Sequence, residues 1–213
     1  MIVRNFMRKE VITVDFNTPI MAALEIMKQN KIKRLPVTKN TKFVGLVTRA
    51  MLRDASPSEA TSLSIYEINY LISKMIVGKL MVKKPVTISP DLPVEEAISL
   101  GKKHGIGGFP VIENGELVGI ITESDIIGVV SNALGLGEKD SKRITIDATG
   151  KRFGYLKDLV EVLDSNNIPI LSVLSIPTSK KGDWSLIMRL KTKHASAAVE
   201  DLRKKGFDVS DFA

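Results

Sequence analysis

The chain has 213 residues, 44% apolar and 26% charged, which is ordinary usage for folded domains and excludes a disordered polypeptide. It has no cysteine, so disulfides, thiolate nucleophiles and cysteine metal sites are excluded together. The formal charge of +7 divides unevenly, +6 over residues 1–74, −3 over 75–140 and +4 over 141–213, and with only 5% aromatics to stack on bases it argues against a dedicated nucleic-acid surface.

The opening residues lack the apolar core of a signal peptide, and no apolar run approaches the ~18 residues of a membrane span. A cytoplasmic protein with no membrane contact is expected. In chain order, Ile12–Val14 reads as a short strand, and a helix follows Pro19 with Ile20, Ala23, Leu24 and Met27 spaced i, i+3, i+4, i+7 to face a sheet. Leu35–Thr38 and Phe43–Val47 read as two strands of a hairpin, and a second helix begins after Thr48. The apolar stretch Ser56–Val77 predicts a further helix. Val86–Ile88, a helix after Pro93, Phe109–Ile112, Leu117–Ile121 and a helix after Thr122 then repeat the pattern, with Asn114-Gly115 as a strong hairpin signal.

The second set is a copy of the first at an ungapped offset of 74 residues. Thr13 falls on Thr87, Pro36 on Pro110, Gly45 on Gly119, Thr48 on Thr122, and upstream Met7 on Met81. Each copy reads β-α-β-β-α, too small to bury both faces of its sheet, so the two are expected to pack sheet against sheet. Beyond a Gly-rich stretch at 135–137 the elements change. Arg143–Ala148 predicts a strand, and Leu156, Leu159, Val160 and Leu163 predict a helix. Ile170–Ile176 and Trp184–Leu190 predict strands, Ala195–Leu202 a helix, and Phe207–Val209 a last strand. This order, β-α-β-β-α-β, is ferredoxin-like. The fold class is therefore α/β in the broad sense and α+β more narrowly, with domains at 1–74, 75–138 and 143–213.

The Ile/Val-Thr-Val/Ile openings, the Leu/Phe-Pro-Val strands and the Gly-h-h-Thr-x-x-Asp ending, all in one register, resemble a tandem pair of CBS domains (a Bateman module) over about residues 1–135. The resemblance implies a regulatory module that binds an adenosine-type nucleotide (AMP, ADP or ATP, with S-adenosylmethionine or NAD as alternatives) and that pairs into a homodimer through helices such as the one predicted at 56–77. The second copy carries the ending whole, as Gly119-Ile120-Ile121-Thr122-Glu123-Ser124-Asp125. A carboxylate at Asp125 can accept both ribose hydroxyls, while the Thr122 hydroxyl and the helix N–H groups suit a phosphate or ribose oxygen. Alternatively, Thr122 is an N-cap and Asp125 a first-turn acid favoured by the helix dipole.

By the same resemblance the opposite copy completes the site with Val11, Ile12, Ile32, Lys33, Arg34 and Pro36. Lys33 and Arg34 would face phosphates, and Ile12, Ile32, Pro36 and Ile120 would wall the base. These residues also fit a solvated loop and plain core. A second site would use Leu46, Thr48, Val86, Thr87, Ile106 and Pro110, but Met51 stands where the carboxylate should be, and a thioether cannot replace it. Asp54, one turn on, is the nearest substitute.

The last 70 residues resemble an ACT domain by element order, which implies an amino-acid-like effector or a dimerisation sheet. That family's Asp-x-Pro-Gly turn is here Asp147-Ala148-Thr149-Gly150, without the proline. Two CBS repeats followed by an ACT-like tail are together similar to stand-alone regulators of acetoin utilization, which implies a link to acetoin or acetyl metabolism and an unidentified regulated protein.

No cofactor, metal site or catalytic residue is expected. His104 and His194 are isolated and read as surface residues, no P-loop is present, and Glu123 and Asp125 have no partner nucleophile. The chain is expected not to be an enzyme. Two other readings stay open: an interaction module whose nucleotide sites have decayed, suggested by Met51, and a DNA-associated regulator, suggested by the charge.

Overall fold

The computed structural model describes residues 1–55, 74–147, 154–178 and 183–212. Most of the helix predicted at Ser56–Val77, and the end of the Asp147–Gly150 turn, lie outside the described residues. The chain divides into two compact units, Met1–Ile126 and Ile127–Ala213.

The first unit holds both copies. The first contains β1 (Val14–Asp15), α1 (Ile20–Gln29), β2 (Arg34–Lys39), β3 (Lys42–Thr48) and α2 (Arg49–Asp54). Then come the single turn α3 (Val77–Leu80), α4 (Val94–His104), β4 (Gly108–Glu113), β5 (Glu116–Thr122) and the start of α5 (Glu123–Ala133), within which the division falls. β2 and β3 form an antiparallel hairpin, as do β4 and β5, in matching registers: Val37 pairs with Gly45 and Val111 with Gly119. As the apolar spacing predicts, α1 buries Ile20, Ala23 and Met27 against Leu35, Val37 and Val47.

The opening strands are shorter than predicted. β1 pairs with β2 only through Val14 and Asp15, and the second copy keeps a single parallel bridge, Ile88 to Val111. Val11 and Ile12 line a cavity instead of joining the ladder, which accounts for the shortening in the first copy.

The copies exchange their leading segments. Val3 N–H bonds Leu92 O and Arg4 N–H bonds Pro90 O, while Arg8 and Ile120 exchange both ladder bonds at 2.9 and 3.0 Å. At the offset of 74, Val77 bonds Thr18, Gly78 bonds Phe16, and Val82 exchanges both bonds with Leu46. The packing follows: Val3 is wholly buried in the core of Ile88, Val94, Phe109 and Ile121, and Val77 in that of the first copy. A boundary at 74/75 therefore marks the repeat in sequence and not in packing, because residues 1–8 complete the second copy and 75–82 complete the first.

The second unit places β6 (Lys142–Asp147), α6 (Tyr155–Ser165), β7 (Ile170–Pro177), β8 (Trp184–Leu190), α7 (Ser196–Lys204) and β9 (Asp208–Phe212) in one sheet of order β7-β8-β6-β9. Every neighbouring pair is antiparallel, which is the ferredoxin-like arrangement predicted. Ile144, Ile146, Leu186 and Met188 face Leu159, Leu163, Val199 and Leu202 in its core.

Two glycines take up the crossing of the exchanged segments. A Cβ on Gly45 would lie 2.6 Å from both Met81 Sδ and the Val82 carbonyl, and one on Gly119 would lie 2.6 Å from Met7 Sδ but 3.1 Å from the Arg8 carbonyl. A thioether can swing aside and a laddered carbonyl cannot. Gly45→Ala should therefore destabilise more, by about 3 kcal/mol against about 1 kcal/mol for Gly119→Ala. Urea unfolding of the two variants checks this, and equal costs would contradict it. The hairpin turns offer a second check, since both use two consecutive left-handed residues, Asn40 and Thr41 (φ 49° and 64°) and Asn114 and Gly115 (φ 51° and 82°). A β-branched residue is strained there, so Thr41→Gly should raise unfolding stability by about 1 kcal/mol; an unchanged urea midpoint would count against that strain.

Candidate functional site

A cavity of about 250 Å3 opens within the first unit, lined from both copies and from an exchanged segment. The segment after Met7 contributes Arg8, Glu10, Val11 and Ile12. The loop leaving α1 contributes Lys31, Ile32, Lys33 and Arg34, with Pro36 on β2. The second copy contributes Gly107, Ile120 and Thr122 on β5, and Glu123 and Ser124 on the first turn of α5. The volume is just under the roughly 300–1,000 Å3 usual for small-molecule pockets, room for a mononucleotide rather than a dinucleotide.

Local structure explains the placement. α1 ends at Asn30, Lys31 turns the chain with φ 53°, and Ile32 N–H returns to Met27 O, so Lys33 and Arg34 enter β2 at the rim. Opposite them the Gly107 carbonyl accepts from Glu123 N–H at 3.0 Å and ties that loop to the start of α5. A Cβ at Gly107 would stand 2.6 Å from Arg34 Nη2 and 3.3 Å from Glu123 Oε2, so the missing side chain is what lets the guanidinium lie across the loop. Burial pushes the half-buried Arg34 below its ordinary pKa, opposed by the Glu123 carboxylate. Four cations against two carboxylates give the cavity a positive balance suited to an anionic ligand.

Asp125 is not among the residues that line the cavity; it stands behind Thr122, with 14% of its side chain exposed. Its Oδ2 accepts from Thr122 N–H at 2.9 Å and from the Thr122 hydroxyl at 2.6 Å, while Thr122 Oγ1 accepts from Asp125 N–H at 3.4 Å. This reciprocal pair is a capping box at the start of α5. Asp125 Oδ1 accepts from Arg8 Nε at 3.1 Å and from Nη2 at 3.0 Å. The alternative reading of Thr122 as an N-cap with Asp125 in the first turn matches this geometry: one carboxylate oxygen caps the helix and the other is held by Arg8.

Of the residues read from sequence, Val11, Ile12, Ile32, Lys33, Arg34, Pro36, Ile120 and Thr122 are brought together around this one cavity. Arg8, Glu10, Lys31, Gly107, Glu123 and Ser124 were missed. Glu123 and Ser124 occupy the two unspecified positions of Gly-h-h-Thr-x-x-Asp, and Arg8 follows Met7, whose match to Met81 already marked the leading segment as part of the repeat.

The residues of the expected second site sit differently. Thr48 caps α2 by accepting from Met51 N–H at 3.3 Å, and Met51 has no carboxylate to return. Arg49, the counterpart of Glu123, donates Nη2 to the carbonyls of Met27 and Ile32 at 3.1 and 2.7 Å, closing the end of α1. Leu46 is buried beneath Val82, Pro110 is buried, Val86 and Ile106 pack on the second core, and Thr87 is exposed. Asp54 and both histidines are exposed. Among the described residues no helix is long and apolar enough to cross a membrane.

The internal repeat has counterparts among known proteins. A CBS domain-containing protein of Dictyostelium discoideum is 31% identical over 135 residues, 62% of this chain and 93% of that protein. An inosine-5'-monophosphate dehydrogenase of Korarchaeum cryptofilum is 32% identical over 123 residues, 57% of this chain but only 23% of the enzyme. Among solved structures, an acetoin utilization protein (AcuB) from Vibrio cholerae superimposes with a TM-score of 0.54 at 26% identity, covering 66% of this chain and 97% of that one. The CBS domain pair of protein MJ0100, in complex with 5'-methylthioadenosine and S-adenosyl-L-methionine, gives 0.51 at 26% identity over 61% and 99%. CBSX2 in complex with AMP gives 0.50 at 26% identity over 61% and 95%. The family model of the CBS domain matches twice, at residues 3–58 and 77–132, more than half of the chain and in the register of the internal repeat, so the chain belongs to the CBS-domain family.

Proposed function

We propose that this protein is a regulatory sensor whose CBS pair binds one adenosine-type mononucleotide in the cavity between the copies, and that it performs no catalysis of its own. The carrying observation is the single cavity that gathers an apolar wall (Ile12, Ile32, Pro36, Ile120), cations (Lys33, Arg34) and the start of α5. The base lies against the wall, the phosphate faces the cations and the helix N–H groups, and the ribose is directed toward Asp125. The adenosyl compounds bound by the CBS pair of MJ0100 and the AMP bound by CBSX2 support the ligand class. A cavity of about 250 Å3 favours AMP, ADP or an adenosyl thioether over NAD.

The likeness to AcuB supports a regulatory role in acetoin or acetyl metabolism, in the cytoplasm, toward a separate target protein. The second unit is read as ACT-like. It either pairs copies of the chain into a homodimer, which the exposed Val173, Leu174 and Ile176 on the edge strand β7 support, or takes an amino-acid-like effector. One observation favours the rival reading of a decayed site used only for protein interaction: both oxygens of Asp125 are already engaged.

Titration calorimetry of the full chain with AMP, ADP, ATP, 5'-methylthioadenosine, S-adenosylmethionine and NAD separates the two readings. Saturable binding of at least one adenosine compound is expected, with a matching rise in melting temperature. Arg34→Ala and Asp125→Ala should each weaken it at least tenfold, about 1.4 kcal/mol. Asp125→Ala also removes the capping box and should lower unfolding stability by about 1–2 kcal/mol without ligand, so binding is measured well below its melting point. If no adenosine compound binds, or if Asp125→Ala leaves binding unchanged, the proposed site is wrong.

A further inference from the structure

The described cation nearest the Asp125 carboxylate is on neither copy's motif. Arg8 is carried by the exchanged leading segment, and its backbone is fixed by two ladder bonds to Ile120. Arg8 is among the residues that line the cavity, and its guanidinium holds Asp125 Oδ1 through Nε and Nη2. The side chain is 58% exposed while Asp125 is 14% exposed, so the cation can leave and the carboxylate cannot. The repeat supplies no counterpart: Arg8 falls on Val82, and Asp125 falls on Met51.

We infer that Arg8 is the specificity-determining residue of this cavity, selecting adenosine ligands that carry a 5'-phosphate over those that do not. This deepens the ligand reading above and rests on it. Asp125 Oδ2 is spent on Thr122, so a ribose diol must take Oδ1, the oxygen that Arg8 occupies. Any adenosine ligand therefore displaces Arg8, and the freed guanidinium either returns to water or takes a new acceptor in the cavity. A 5'-phosphate in the same cavity provides one, since two of its oxygens match the Arg fork. A methylthio group accepts no comparable hydrogen bond, and a sulfonium adds a like charge beside Arg8, Lys31, Lys33 and Arg34. The acids in the lining, Glu10 and Glu123, act in the opposite sense, repelling a phosphate and favouring a sulfonium, but four cations outweigh them.

The test is calorimetry on the full chain and on Arg8→Ala and Arg8→Lys, each titrated with AMP and with 5'-methylthioadenosine. Wild type should prefer AMP. Arg8→Ala should weaken AMP about tenfold or more, by losing a charge-assisted pair. The same variant should tighten 5'-methylthioadenosine about three- to fivefold, by freeing Oδ1 from a partly exposed ion pair. Arg8→Lys, a point charge without the fork, should keep part of the preference. The ladder bonds of residue 8 are backbone bonds that the variants keep, and urea unfolding of each variant checks that it is folded at the titration temperature. If both ligands shift by the same factor, if neither shifts, or if wild type prefers 5'-methylthioadenosine, Arg8 does not set the specificity and the cavity reading stands. If wild type binds neither these nor any other adenosine compound, the cavity reading falls and the role of Arg8 falls with it.

Discussion

The exchange of leading segments is the constraint on which the first unit depends. A single copy offers a hairpin and two helices, with one face of the hairpin left to be covered. Residues 1–8 and 75–82 cover it reciprocally, each through the same backbone bonds displaced by 74 residues. Val3 and Val77, both fully buried, put one apolar side chain of each segment in the other copy's core. Neither core is complete without the sequence that introduces the other copy, so the pair is expected to be cooperative in folding. The exchange also delivers Arg8, Glu10, Val11 and Ile12 to the rim of β5, where they meet the loop from α1. The cavity is a by-product of how the cores are closed.

The anchoring of those two segments differs in chemistry although the backbone pattern is shared. Arg4 ties the first segment to the second copy through Asp91 and Glu113 at 2.9 and 2.7 Å. Its counterpart is Gly78, where a Cβ would strike the Phe16 ring at 2.5 Å, and that ring carries Lys39 at 5.1 Å from its centroid. An ion-pair clamp in one copy is thus an aromatic lid in the other. The same divergence separates the two helix starts. Thr122 and Asp125 cap each other, whereas Thr48 caps alone and Met51 has nothing to return. Drift at corresponding positions has concentrated the charged chemistry at one end of a backbone that is nearly symmetric.

The repeat was legible because its marks are backbone requirements: a proline before each of α1 and α4 and one within each of β2 and β4, a glycine under each crossing segment, a threonine at each cap. The β-α-β-β-α-β order of the second unit was equally legible, since its helices keep strict spacing, as with Leu159 and Leu163 over Ile144. What escaped was set by tertiary pairing. The partner of the leading segment cannot be read from local pattern, because Met7 and Arg8 touch residues more than a hundred positions away. Val11 and Ile12 alternate like a strand, yet they face a cavity. Asp125 reads from sequence as a ribose acceptor or as a first-turn acid, since its spacing from Thr122 serves a capping box and a ribose equally well, and only the structure reveals Arg8 as its second partner.

A carboxylate that is 14% exposed and left without a partner would forfeit much of its hydration with nothing in return, a penalty of several kcal/mol at full burial. A binding protein must be stable with and without its ligand, so on the proposed reading an acid that takes a ribose needs an internal substitute for those hydroxyls. The substitute must bond well enough to satisfy the oxygen and weakly enough to be replaced. A guanidinium on a side chain 58% exposed to water meets both conditions, since it bonds the oxygen through two N–H groups and can swing into solvent. Thr122 secures the other oxygen through bonds that also start α5, which keeps the carboxylate aimed while the occupant of Oδ1 changes. On the proposed reading, the separation of one acid into a structural oxygen and an exchangeable one would allow a helix cap and a binding site to share a single residue.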